Sequence, residues 1–492
     1  MPINLAAPPS QVTTGSPAYD AVFANLQGNI LRSHGRNAGY HVFLKFTGPA
    51  VQVRKWIREK IAPRLLTAAA QFEQSAKKHA DENFDGGLVI LFYLSAAGYQ
   101  YLGLDPKKFA SKAFRSGMKD QKDNLLEGVI STTNKDPKPD QWEKGFRDQI
   151  HAMVALGDDQ KQDETRLLNE LSLLKTQLSG IGQVLVMDEG KALRRTVRKG
   201  TILKTPEPIE HFGYFDGISQ PLFTKEDVEN YYASGKGTDT PAAWKPHASL
   251  DLLLEKDPFA NNADAFGSYL VYRKLYQDFG LFHARIPPCA AAIGASEELT
   301  GAMIIGRFQD GTPVVQSDQP DQQYKNDFVF KAADPKGYRC PRHAHIRKVN
   351  PRDTTPLTSF DSERRRRIAR RGIPYGAPMP DICDAAETDA DPHADRGLLF
   401  MCFQANIEKQ FEFLQRTWVD NPNFPDNVIN NPLEDDTGDD PLIGQDKNEK
   451  QRWPQKWGDE AAGRKKFNFE SAITLKGGEY FFAPSKPSLA AI

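Results

Sequence analysis

Four short apolar runs, with two stretches of helical period set between them, constrain the fold of this chain more than any other feature. Residues 40–46 alternate as a half-buried strand does, and 87–94 is an unbroken apolar run of strand length. Two more runs of strand type follow at 152–156 and 182–187. Between the first pair, 51–61 has helical spacing and meets Pro63 near its end. Between the last pair, leucines at 167, 168, 171, 173, 174 and 178 predict a helix within 158–178. Strand, helix, strand, strand, helix, strand is the order of one ferredoxin-like unit.

A similar series recurs later. Strands are expected at 267–275, 397–404 and 478–482, and helices at 296–305 and 407–418, the former weakened by Gly301. The two halves share an order of elements without a sequence repeat. The fold class is therefore α+β, with two ferredoxin-like halves and antiparallel sheets. The expected division is a flexible polar arm over 1–25, a first domain over 26–215 and a second over 216–492. Residues 421–455, rich in Asp, Asn, Pro and Gly, read as a long surface loop. The six arginines within 362–371 read as a solvated helix face, with one or two turned inward.

Composition narrows the function by exclusion. A formal net charge of −1 gives no global attraction to nucleic acid or to a membrane surface. No run approaches the ~18 apolar residues of a membrane helix. The first twenty residues lack a basic region followed by a long apolar one, so a cytoplasmic protein is expected. Cys289, Cys340, Cys383 and Cys402 include no C-x-x-C pair and read as reduced thiols, which also makes zinc a poor expectation.

Three motifs carry chemistry. In the GYFDG run of 213–217, two glycines permit close approach of a flat ligand to Asp216. An aspartate there either caps its own turn or serves as a general acid–base. In the CPRHAHIRKVNPR run of 340–352, His343 and His345 are both candidate metal ligands. A metal-bound imidazole needs an acceptor for its other nitrogen, and Asp395, just before the 396–403 run, is the candidate. In the RRGIPYG run of 370–376, Arg370 and Arg371 compete for the role of a fixed positive charge that stabilises a departing oxygen.

Taken together, the three motifs resemble those of the dye-decolorizing peroxidases, in particular the larger, so-called advanced members. The resemblance extends from about residue 26 to about 483 and includes the QGNI opening at 27–30, Gly306-Arg-Phe and the 397–418 block. It implies a dimeric α+β barrel type of fold with haem b in the C-terminal half. It selects His345 over His343 as the iron ligand, and Arg370 over Arg371 as the partner of Asp216. It further implies hydrogen peroxide as oxidant and dyes, phenols and other aromatic donors as reductants. Arg347 and Arg352 are expected to meet the haem propionates, since guanidinium forks suit carboxylates. Tyr375 and Trp418 are candidate relays to donors too bulky to reach the haem. The missing leader favours a bacterial enzyme. The alternative function is a haem-binding or haem-iron-release protein with incidental peroxidase activity.

Overall fold

Strand Phe266–Gln277 is the key to how this chain is assembled, because its two faces meet different halves of the molecule. The structure is a computed structural model describing residues 3–81, 83–120, 135–159, 165–198, 201–321, 324–353, 360–378, 391–425 and 437–492. Four strands of the first half, Val89–Leu94, Ala152–Asp158, Ala38–Phe46 and Gly182–Lys191, pair antiparallel in that spatial order. The second half lays out Ile373–Tyr375, Gly397–Gln404, Phe266–Gln277 and Ile473–Ala483 in the same sense, with Ala369–Arg370 also paired to Gly397–Gln404. Within each half the order is second, third, first, fourth, as a ferredoxin-like unit requires. The pair Phe482↔Leu94 joins the two into one sheet.

Side chains alternate across a strand, and here the alternation decides what each face does. Tyr272 and Lys274 point toward the first half. The Tyr272 ring packs edge-on against His41 and Phe43, and its hydroxyl donates to Asp188 at 2.7 Å. Lys274 pairs with Asp188 at 3.1 Å and Glu143 at 2.9 Å. Arg273, Leu275 and Gln277 line a cavity on the opposite face, joined by Leu398 and Phe400, which lie in register with Leu275 and Arg273. The residues lining this cavity run from Glu210 to Ile473, so all but Glu210, Tyr214 and Phe215 come from the second half.

Several expected elements are present with adjusted bounds. The helix near 51–61 is Ala50–Trp56 continued by a wider turn over Ile57–Ile61, the leucine-rich helix is Arg166–Gln177, and the later one is Glu297–Ile305. The 407–418 segment is helical with i→i+5 bonding, over Glu408–Glu412 and Leu414–Val419.

Three expectations are corrected. The N-terminal arm is packed: helix Pro17–Asn25 buries Tyr19, Val22 and Phe23, and Val12 is fully covered. Its polar composition hid apolar residues spaced for one helix face. The 421–455 segment is partly interior: Thr437, Asp439 and Asp440 are buried and Gln451–Pro454 is a strand, while 426–436 lies outside the described residues. The arginine run is not a solvated face. Arg366 stacks on Phe413 at 4.0 Å, Arg367 donates to the His247 carbonyl, and Arg371 donates to the carbonyls of Asn29, Ile30 and Leu31. Guanidinium groups reach inward here because backbone carbonyls accept hydrogen bonds from their N–H groups. Cys289, Cys340 and Cys402 are buried free thiols; Cys383 lies outside the described residues.

Candidate active site

The cavity encloses about 250 Å³ of water-accessible space. Its walls are mostly apolar, built by Ile305, Ile346, Val349, Leu398, Phe400, Leu414 and Val419, with a few charged groups converging on it. That is the usual construction of a small-molecule or cofactor site.

Asp216 stands on a loop that the chain ties down locally. Gly213 and Gly217 adopt φ of 88° and 87°, in the left-handed region that glycine enters without strain. Upstream, the Glu210 carboxylate accepts from the backbone N–H groups of Phe212 and Tyr214, both at 2.9 Å, and from Gln277 at 2.6 Å. Burial, with a smaller contribution from the charge of Asp216, pushes Glu210 up to about 7. Asp216 Oδ1 accepts from Gly217 N at 2.7 Å and lies 3.5 Å from Arg370 Nη1. Both side chains are 35% exposed, so the pair is open to a small molecule and adds little to stability. Arg370 also donates to the Ile218 carbonyl at 2.9 Å. Arg371 turns away to the 29–31 carbonyls, which separates two neighbours that the sequence alone leaves equivalent.

His345 opens the short helix His345–Val349 and lines the cavity. Its Nδ1 donates to Asp440 Oδ2 at 2.8 Å, leaving Nε2 as the lone-pair nitrogen. The other oxygen of Asp440 accepts from the N–H groups of Leu442 and Ile443, which holds this fully buried carboxylate in place. His343 is fully buried against Trp453, 4.3 Å between ring centres, and does not line the cavity. Asp395 is not the acceptor for His345: it takes the Tyr375 hydroxyl at 3.2 Å. The acceptor comes from the Asp-rich 437–440 stretch, where no periodicity singles out one residue.

Arg347 is also displaced from its expected role. Two positions along a helix is more than half a turn, so it faces away from His345. It is fully buried, donates to Asp334 at 3.1 Å and to the Cys340 carbonyl at 2.7 Å, and lies over the Phe330 ring. Arg352 does line the cavity. It is sandwiched between Trp244 and Phe328 at 4.0 Å from each, and donates to Ser219 Oγ and Asn326 Oδ1. Beside it is Arg307, which also reaches Asn326 Oδ1, at 2.6 Å. Burial lowers both guanidinium groups, Arg307 to about 10. Two buried cations side by side at a cavity edge suit an anionic group. Arg307 was not singled out as a ligand-binding residue, although it lies in the Gly306-Arg-Phe block noted above.

Tyr375 and Trp418 are both buried, Trp418 stacked on Phe424. Neither offers a surface to a bulky donor.

Comparison with known proteins decides the family. The multifunctional dye peroxidase of Amycolatopsis sp. is 34% identical over 99% of this chain and 98% of its own length. The chain belongs to the dye-decolorizing peroxidases. The family model described as Dyp-type peroxidase, C-terminal, matches residues 296–431. A DyP-type peroxidase of Anabaena sp. superposes with a TM-score of 0.85 at 36% identity, over 99% of this chain and 98% of that one. The solved structure of DyP2 from Amycolatopsis sp. gives 0.84 at 31% identity, over 99% of this chain and 100% of that one. This dye-decolorizing peroxidase is thus an oxidoreductase of a haem peroxidase family. Among the described residues no helix is long and apolar enough to cross a membrane.

Proposed function

We propose that this peroxidase binds haem b through His345, reduces hydrogen peroxide with Asp216 and Arg370, and oxidises dyes, phenols and related aromatic donors by one-electron steps. The observation that carries this reading is the convergence of three groups on one apolar cavity: a histidine backed by a buried carboxylate, an open aspartate, and an arginine 3.5 Å from that aspartate.

The residues present fit a haem. Neutral imidazole with Nδ1–H given to Asp440 is the form that ligates iron, and the carboxylate fixes its tautomer and ring orientation. The apolar walls accept a porphyrin, and Arg307 and Arg352 would hold its carboxylates. Bound there, the iron porphyrin would supply the redox chemistry of peroxide reduction.

The chain's own part is proton transfer and charge stabilisation. Asp216, as carboxylate, takes the proton from one peroxide oxygen and delivers it to the other, which leaves as water. Its contacts fall on Oδ1 among the described residues, so Oδ2 is open to receive that proton. Arg370 cannot lose its proton and stabilises the charge that develops as the O–O bond breaks. The apolar walls keep bulk water from competing. Nothing in the site favours the haem-iron-release alternative. We also propose the division at 215/216, supported by the last strand of the first half in the shared sheet ending at Lys191 and the first of the second beginning at Glu255.

The test is the absorption spectrum of the purified protein before and after one equivalent of peroxide, alongside steady turnover. A haem spectrum that peroxide does not perturb would refute the peroxidase assignment of these residues.

A further inference from the structure

Asp216 and Arg370 are carried by two separate segments, and their 3.5 Å separation depends on how those segments are held together. Two side chains from the Asp216 segment fasten it to the backbone of the Arg370 segment. His211, five residues before Asp216, donates from Nε2 to the carbonyl of Tyr375 at 2.8 Å. Gln220, four residues after Asp216, accepts at Oε1 from the N–H of Arg370 at 3.1 Å. Tyr375 lies five residues after Arg370. The upstream end of one segment is thus tied to the downstream end of the other, and the reverse holds at the opposite end. The catalytic pair sits between the two ties.

We infer that His211 and Gln220 are positioning residues that fix Asp216 against Arg370. This rests on the reading of that pair given above. His211 is 1% exposed and its Nδ1 has no partner among the described residues, so the bond to Tyr375 is what accounts there for its polarity. An unmatched buried nitrogen costs stability, and a hydrophobic residue of similar size would avoid that cost. What the ring supplies in exchange is the donor that holds the Tyr375 carbonyl. Burial lowers His211 to about 4, so the ring is neutral and bears a single proton, on Nε2. Gln220 supplies the only type of group this position needs, an uncharged acceptor, since a carboxylate there would compete with Asp216 for Arg370.

Displacing a catalytic group by about 1 Å can cost ~10²-fold in rate. His211→Leu and Gln220→Met in the haem-loaded enzyme should each lower peroxide turnover ~10- to 100-fold, by the same principle, with haem retained. His211→Gln, whose amide N–H can reach the Tyr375 carbonyl, should recover most of the loss. In an Asp216→Asn background each change should cost clearly less than in the wild type, because only Arg370 is left to be held in place. Hydrogen exchange gives a readout independent of turnover: the 369–375 and 210–217 segments should exchange faster in His211→Leu and Gln220→Met, and the remainder of the chain at its original rate. Wild-type turnover in both variants overturns the inference, as does a loss that multiplies undiminished in the Asp216→Asn background. If His211→Leu does not fold, Gln220→Met carries the same test. Full turnover in Asp216→Asn alone overturns the underlying mechanism as well, whereas a slow Asp216→Asn beside unaffected His211→Leu and Gln220→Met overturns only the positioning role.

Discussion

Haem stripped of its two carboxylates is the most direct probe of the Arg307–Arg352 pair. Among the described residues neither guanidinium is paired with a carboxylate; their partners are Ser219, Asn326 and backbone carbonyls. Burial lowers Arg307 from 12.5 to about 10, chiefly by desolvation, with the neighbouring Arg370 charge adding to the effect. Keeping Arg307 charged at pH 7 therefore costs about 3 kcal/mol. A carboxylate brought beside it removes most of that cost. Haem dimethyl ester has the same ring and iron but no carboxylates, so it should bind roughly 100-fold more weakly than haem. Arg307→Met should narrow the gap, since that cost is no longer there to relieve. The assay is the rate of transfer of each porphyrin from the loaded enzyme to an excess of acceptor apoprotein. Because the pair is buried, the difference should persist at high salt. Equal retention of haem and its dimethyl ester by the wild-type protein would refute the argument.

Other outcomes follow from the same geometry. Asp216→Asn and Arg370→Leu should each slow peroxide turnover ~10²- to 10⁴-fold while haem stays bound, as stopped-flow absorbance would show. His345→Ala should lose haem and His343→Ala should keep it; Asp440→Asn should weaken haem affinity ~10- to 100-fold, measured by competition with an acceptor protein. His41 is buried and lowered to about 4 by desolvation. Free histidine titrates near ~6.5, so between pH 6.5 and 4 the unfolded chain binds the extra proton. The contribution of neutral His41 is therefore complete above pH 6.5 and falls away toward pH 4, by up to about 3 kcal/mol. Denaturant titrations across that range should show a shallower acid loss in His41→Leu than in the wild type, and identical slopes would count against a buried neutral ring.

Most sheet strands were legible in the sequence because the central ones are buried on both faces, so runs such as 87–94 and 397–403 are apolar throughout; the short strand Ile373–Tyr375 was not. The helix Phe279–Ile293 was not, because Pro287 and Pro288 within it read as breakers. Asp216, His345 and Arg370 could be named because short motifs with glycine and proline surround them. Their supporting residues could not. Asp440 reaches His345 across 95 positions of chain, and nothing local distinguishes it from Asp439 beside it. Asp395 pairs with Tyr375 instead for the same reason: proximity to a strand predicts burial, not the partner. Arg347 was misplaced because the motif reads as a line, whereas on a helix it turns away from His345 within two residues.

The strand Ile473–Ala483 has a consequence for biosynthesis. It lies in the middle of the sheet, pairing with Phe266–Gln277 along most of its length and reaching Val89–Leu94 at Phe482. Ile473 is part of the cavity wall, and the side chain of Gln27 bonds both Phe92 and Pro484. A chain leaves the ribosome N-terminus first, at ~5–20 residues per second. The first half can pair its own four strands early, but its Val89–Leu94 edge and the Phe266–Gln277 edge both wait for Ile473–Ala483 to leave the ribosome. The pocket wall is therefore incomplete until Ile473–Ala483 has been made and paired, and a ligand of this cavity would be enclosed only after that strand is in place.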